Sequence, residues 1–192
     1  MNRVKELTYG QTRCYLIGGS VLVDTDWAGT LPRFLKRVRD ENVDLAAIRY
    51  LLVTHFHPDH MGIAQELADL GMRIVIFDEQ QKAVHQADGV FAKDKRVRFR
   101  PVDESRALRV ACADSRALLE TVGVYGQVLH TPGHSEDSIS IVLDDGMALV
   151  GDLPPLSWAA AYRDEKVNRS WADILSHSVH TLYYAHAEAE RR

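Results

Sequence analysis

Thr54-His55-Phe56-His57-Pro58-Asp59-His60-Met61-Gly62 decides the reading of this chain, because positions 55 to 60 carry three imidazoles and a carboxylate. Ahead of it lies Ile48-Arg49-Tyr50-Leu51-Leu52-Val53, an aliphatic run of strand length. Behind it, Ile63 to Leu70 has helical patterning and Gly71 supplies a stop. The spacing predicts a buried strand, a loop and a helix, with the ligand-type side chains at the junction. His55 and His57, two apart, share one side of an extended segment. Pro58 turns the chain, so that Asp59 and His60 aim back from the first helical turn. Histidine nitrogen and carboxylate oxygen are donors that suit zinc and other borderline divalent ions. The alternative is a polar loop that happens to be rich in histidine. H-x-H-x-D-H directly after an apolar strand is a demanding pattern for such a loop to produce.

Strands and helices alternate on both sides of this segment. Cys14 to Gly19 and Val21 to Asp24 read as a hairpin with a Gly-Gly-Ser turn. Thr30 is placed to cap a helix whose apolar positions are Leu31, Phe34, Leu35 and Val38. Arg73 to Phe77 reads as a strand and Asp78 to about Ala87 as a helix. Ala107 to Cys112 reads as a strand, and Ser115 to about Val122 as a short helix. Three strands follow, at Gln127–His130, Ser138–Leu143 and Met147–Val150, the last two joined by an Asp144-Asp145-Gly146 turn. Ser170 and Asp173 form a candidate capping box for a helix ending near Val179, and Thr181 to Tyr184 reads as the final strand. Each half opens with hairpin-like strands. That pattern suits two packed sheets flanked by helices better than one doubly wound parallel sheet.

The chain has 192 residues, 46% of them hydrophobic and 26% charged, and reads as one domain over residues 1–192. A net charge of −4 argues against nucleic acid as a main partner. The one basic run, Lys93 to Arg100, reads as a solvated loop leading into an edge strand. Two cysteines, Cys14 and Cys112, sit in apolar segments and read as buried, reduced core residues. The N-terminal residues lack an apolar signal segment and no stretch reaches membrane-spanning length, so the expectation is a cytoplasmic protein without membrane contact.

Three more candidate donors stand where apolar runs stop. They are His134 in Thr131-Pro132-Gly133-His134, Asp152 in Val150-Gly151-Asp152-Leu153, and His186 in Tyr183-Tyr184-Ala185-His186. Taken singly each is ordinary. Together they supply about the inventory that a dinuclear site needs. The set T-H-F-H-P-D-H, T-P-G-H, G-D-L and a last strand followed by His resembles the metallo-β-lactamase-fold hydrolase superfamily, from about Cys14 to His186. The resemblance implies a four-layer αβ/βα sandwich with metals in the cleft at the strand ends. It implies that His55, His57 and His134 hold one metal, that Asp59, His60 and His186 hold a second, and that Asp152 bridges them. Asp24, in Val23-Asp24-Thr25, matches a supporting position. The family's last histidine commonly stands in Gly-His-Gly, where this chain has Ala185-His186-Ala187. His177 and His180 fall on the predicted last helix and read as structural.

The implied activity is that of a metal-dependent hydrolase. Two zinc ions per chain, with iron or manganese as alternatives, would bridge a hydroxide that cleaves a small ester, thioester or lactone. Asp59 and Asp152 are the carboxylates expected to act in catalysis. Glyoxalase II-type relatives carry a helical domain after the final strand, whereas six residues follow His186 here. Ribonuclease Z-type relatives need a basic arm, and true β-lactamases of this kind do not usually use an aspartate like Asp152. A small molecule is therefore the expected partner. The competing readings are a one-iron persulfide dioxygenase-like oxidoreductase and a small-phosphodiester hydrolase. Thr54, Ser135, Asp137 and Ser138 either orient the imidazoles or only shape turns. The segment Pro154 to Tyr162 is either a pocket wall or a packed connection or subunit contact.

Overall fold

The computed structural model describes residues 2–158 and 163–192, so the end of the Pro154–Tyr162 segment, residues 159–162, lies outside the described residues. Two sheets form its centre. The first has strands β1 (Val4–Glu6), β2 (Tyr15–Ile17), β3 (Val21–Val23), β4 (Tyr50–Leu52), β5 (Arg73–Phe77) and β6 (Leu108–Val110), in that order. The hairpin β2–β3 is antiparallel, and β3 to β6 run parallel. The second sheet contains β7 (Gly126–His130), β8 (Ile139–Leu143), β9 (Met147–Leu149), β10 (Thr181–Tyr183) and β11 (Glu190–Arg191), ordered β11-β10-β9-β8-β7.

Alternation along these strands explains the layers. Leu22, Leu51, Ile74 and Ile76 face an outer core shared with Phe34, Val38, Ile63 and Leu67. Those partners come from α1 (Leu31–Asp40) and α3 (Ala64–Asp69) and the residue preceding it. The intervening residues Val21, Val23, Leu52, Val75 and Phe77 face the opposite way, against Val128, Ile141, Leu143 and Leu149 of the second sheet. Val142, Ala148 and Leu182 then face Val167, Trp171 and Ile174 on the last long helix, Glu165–Leu175. Strands buried on both faces need continuous apolar runs. Helix, sheet, sheet and helix thus stack as the four-layer αβ/βα sandwich expected.

Departures from the expected elements are local. Asp78 to Ala87 is one 3₁₀ turn, Asp78–Gln80, followed by further tight turns. Ala83 N–H bonds to Gln80 C=O and Gln86 N–H to Ala83 C=O, three residues back. Buried Gln80, Ala83, Val84 and Ala87 hold that tighter winding in place. The last long helix starts not at Ser170 but at Asp164, whose carboxylate accepts from Lys166 N–H at 2.8 Å. Ser170 lies inside that helix, its hydroxyl donating to Pro132 C=O at 2.7 Å. His177 and His180 fall beyond its end. Thr30 precedes α1 but bonds back to Trp27 C=O instead of capping. Cys14 is buried, whereas Cys112 is half-buried in the 3₁₀ turn Cys112–Asp114. In the basic run, Arg96 and Arg100 pair with Asp94 and Asp69, while Val97 and Phe99 pack on the outer core. Among the described residues, no helix is long and apolar enough to cross a membrane.

Gly62 joins the short helix α2 (Pro58–Met61) to α3 where the chain passes the loop after β3. A Cβ there would stand 2.2 Å from Ala28 N and 2.4 Å from Trp27 C, both backbone atoms. Gly62→Ala therefore destabilises by about 2–3 kcal/mol, which lowers the melting temperature by about 5–10 °C. Thermal unfolding of the metal-free variant measures this, and an unchanged transition contradicts the close approach.

Candidate metal centre

Loops at one edge of both sheets carry the candidate donors. His55 follows β4. His57 is the extended residue before α2, with φ −75° and ψ 154°, and Pro58 opens the helix that carries Asp59 and His60. His134 lies in the loop between β7 and β8, Asp152 follows β9, and His186 follows β10. The structure brings all seven together.

His57 Nδ1 is 2.9 Å from His55 Nε2 and 3.0 Å from His134 Nε2. The three rings meet at 75–79° to one another. Nearby, His186 Nε2 is 3.1 Å and His60 Nε2 3.8 Å from Asp59 Oδ2. Asp152 lies between the groups. Its Oδ2 is 3.4 Å from His60 Nε2, 3.5 Å from His134 Nε2 and 3.8 Å from His55 Nε2, and its Oδ1 is 3.5 Å from His186 Nε2. Donors about 2.0–2.1 Å from a tetrahedral ion stand about 3.3 Å apart, so these spacings bracket what zinc requires. His60 Nε2 and Asp152 Oδ1 are buried without a hydrogen-bond partner among the described residues. Buried, orphaned polar atoms within a cluster of histidine and carboxylate donors fit a cation there. The triads His55/His57/His134, His55/His60/Asp152 and Asp59/His60/His186 each have their donor atoms within 4.8 Å of one another.

The metal-free electrostatics follow from burial and neighbours. Burial holds the His55 imidazole well below its ordinary value, and the surrounding histidines push the same way. Burial also opposes charge on His60, but Asp24 and Asp152 outweigh it and raise that imidazole to about 10. Desolvation would raise the Asp59 carboxyl, yet the hydrogen bond from His186 and the charge of His60 bring it down to about 2. The bond to Asp59 raises His186 against its own burial. Burial would raise the Asp152 carboxyl, but the close approach of His60 and the charges of His186 and His134 outweigh it and lower it.

The supporting shell divides the open readings. Asp24, with φ at 61°, accepts from Thr54 N–H at 2.6 Å and Thr54 Oγ1 at 2.8 Å, and its Oδ2 is 3.1 Å from His60 Nδ1. With Nδ1–H directed at Asp24, His60 would offer its Nε2 lone pair to a cation that displaces the second ring proton. Thr54 Oγ1 also stands 3.3 Å from His55 Nδ1. Gly151 makes room for it, since a Cβ there would be 2.6 Å from that hydroxyl. Asp137 holds backbone rather than a ring, accepting from Phe56 N–H at 2.8 Å. Ser135 and Ser138 bond to each other, which is turn chemistry.

Three supporting residues carry no motif in the sequence. Gln80 donates to Val53 C=O at 2.8 Å and accepts from Phe77 N–H, tying β5 to the ligand strand. Buried Asp26 gathers the N–H groups of Gln11, Thr12 and Trp27. Thr12 in turn donates to Asp59 C=O at 2.7 Å. Their only signal is a polar side chain at full burial, which depends on tertiary contacts.

Known proteins resemble this chain in sequence and in fold. A Beta-lactamase-like protein 2 homolog of Drosophila melanogaster is 24% identical over 167 residues, covering 82% of this chain and 52% of its own length. A hydroxyacylglutathione hydrolase of Rhodopseudomonas palustris (strain BisB5) is 34% identical over 99 residues, covering 52% of this chain and 31% of that protein. An atrochrysone carboxyl ACP thioesterase of Claviceps purpurea is 26% identical over 152 residues, covering 75% of this chain and 40% of that protein. The chain thus spans about half or less of these relatives. A metallo-beta-lactamase family protein from Thermus thermophilus shares the fold, with a TM-score of 0.71 at 19% identity over 99% of this chain and 74% of that one. The sequence profile of the metallo-beta-lactamase superfamily matches residues 7–154. That match takes in every candidate donor from His55 to Asp152, and on its strength the chain belongs to the metallo-beta-lactamase superfamily.

Proposed function

We propose that this chain is a metal-dependent hydrolase that cleaves a small ester, thioester or lactone with a pair of divalent ions, zinc being the ion expected. The carrying observation is Asp152, whose two oxygens face histidines of both clusters, His134 at 3.5 Å and His186 at 3.5 Å. His55, His57 and His134 would hold one ion, Asp59, His60 and His186 the other, with Asp152 shared. When bound, such a pair lowers the pKa of a water to about 7 and polarises the oxygen of the group under attack.

The chain's own residues supply the rest. Asp24 fixes the tautomer of His60. Asp59 is more exposed than Asp152, 27% against 15%, and can pass a proton to the leaving group. Two of the relatives are by name thioester hydrolases, which supports an acyl substrate. The net charge of −4 favours a small molecule over nucleic acid. A one-iron oxidoreductase would leave Asp59, His60 and His186 without a role, and their convergence favours the two-ion reading.

Elemental analysis of the metal-loaded protein is expected to give two zinc ions per chain. One iron with oxygen uptake overturns the reading. Among p-nitrophenyl esters, thioesters, lactones and phosphodiesters, turnover is expected for the carbonyl substrates, and activity confined to phosphodiesters rejects them. Asp152→Ala should lose one ion and lower kcat/KM at least about a hundredfold, since loss of outer partners alone costs about 10–100-fold. Near-normal turnover in that variant removes the shared-carboxylate mechanism.

The metal-free protein has a second signature. His60 keeps its proton to about pH 10 when folded, whereas a free histidine loses it near 6.5. Its contribution to stability is therefore complete below about 6.5 and fades as pH rises toward about 10. His55, buried and neutral, acts oppositely, because below about 6.5 the unfolded chain gains a proton that the folded site resists. Melting temperatures of chelator-treated protein should peak near neutral pH, and Asp24→Asn should flatten the alkaline decline. A wild-type profile that is level from pH 6.5 to 10 contradicts the assignment.

A further inference from the structure

A cavity of about 340 Å³ opens onto His134, Asp152 and His186. Gly151, Leu153, Pro154, Pro155, Trp158, Tyr184 and Ala187 form the rest of its described wall. We infer that this cavity takes the acyl side of the substrate as an uncharged, apolar group, and that Trp158 sets the preferred acyl length. The inference deepens the hydrolase reading of the same site and rests on it for the reaction, not for the binding of an acyl group.

The chemistry of the wall selects the occupant. Apart from the candidate ligands and the Trp158 indole N–H, Tyr184 Oη is the only polar side-chain atom among the described wall residues. It is already engaged, donating to Glu190 Oε2 at 3.1 Å and accepting from Leu156 N–H at 3.4 Å. Away from the donor cluster, a carboxylate, ammonium or phosphate inside would give up its water for at most the single Trp158 indole N–H, which is costly. Esters and thioesters commonly join an apolar acyl chain to a polar or charged alcohol or thiol carrier. Only the acyl chain matches this wall. At about 30 Å³ per water-sized group, the cavity holds about ten such groups, enough for an acyl chain of about four to eight carbons.

The wall is built before any ligand arrives. Leu153 is packed in the core beneath the last long helix. Pro154 C=O accepts from Trp171 Nε1 at 3.0 Å, and Leu156 is tied to Tyr184. Pro154 and Pro155 fix two backbone angles in succession. Trp158, at the end of this pinned segment, is 61% exposed and leaves its indole open. A large apolar ring on a rigid base, beside the donor cluster, is area for a ligand to cover.

The test is a series of p-nitrophenyl acetate, butyrate, hexanoate and succinate with zinc-loaded protein. Fixing the leaving group isolates the acyl side. From acetate to hexanoate, kcat/KM should climb by up to about fourfold per methylene, with succinate below butyrate. Trp158→Ala should cut the hexanoate-to-acetate ratio about tenfold, and Trp158→Phe should retain most of it. An unchanged ratio in Trp158→Ala, or a preference for succinate, overturns the inference. If the wild type turns over no ester, thioester or lactone, the hydrolase reading fails separately. Calorimetric binding of hexanoate, acetate and succinate to the zinc-loaded protein then decides the pocket. Tighter hexanoate binding that Trp158→Ala weakens supports it, and equal affinities reject it.

Discussion

The carboxylate of Asp24 brings a negative charge to the end of β3 at 2% exposure, and the strand ends are arranged around satisfying it. A buried carboxylate is tolerable only when its oxygens are fully engaged. Here the partners are the backbone and hydroxyl of Thr54 and the ring of His60. The same contacts that compensate the charge set the path of the loop leaving β4. They also aim His60 Nε2 at Asp152, with no hydrogen-bond partner among the described residues. A left-handed backbone at Asp24, φ 61°, is the local strain this arrangement carries.

Around that point the two sheets divide the work. The first sheet delivers a contiguous stretch, His55 to His60, pinned on one side by Asp24 and on the other by Asp137, which holds Phe56 N–H. The second sheet delivers single residues from three separate loops, each tied at its base. Thr131 N–H bonds to Ser138 C=O beneath the His134 loop, and Ala185 N–H bonds to Gly151 C=O, joining the loops of Asp152 and His186. Tyr15 Oη donates to Tyr184 C=O at 2.7 Å and links those loops to the first sheet. Precision at the centre therefore comes from backbone and side-chain bonds that lock loops together across the inter-sheet core.

Much of this arrangement is legible in the amino-acid sequence. Doubly buried strands announce themselves as unbroken aliphatic runs, so β4, β5 and β8 were readable. The histidine and aspartate positions were readable because each follows such a run. What stayed hidden is tertiary. Asp164 caps the last long helix while Ser170 is drawn inside to bond Pro132, a choice made by the partner loop and invisible in local spacing. Residues 78–87 have helix-forming composition but wind tighter because Gln80 is held by Val53, just after β4, and by Phe77 of β5. The edge strands β1 and β11 are short and polar, and pairing rather than pattern defines them. Asp26 and Gln80 resemble surface residues in sequence, and only burial reveals their roles.

The two donor groups differ in what protons do to them. His55 is fully buried and resists charging, so its nitrogen stands ready for a cation. Asp59, His60 and His186 form an ion-pair network in the metal-free protein, with His60 and His186 both raised by nearby carboxylates. A cation entering that group must displace protons that the carboxylates themselves hold in place. His186 is the most exposed of the three at 40%, and Ala185 and Ala187 add no side chain able to hold its ring. Asp59, 3.1 Å away, and Asp152 therefore fix the ring of His186 without help from its chain neighbours. Asp152 accordingly stands between His55, which burial keeps from charging, and His60 and His186, which nearby carboxylates help to hold protonated, and its charge would favour a cation on either side.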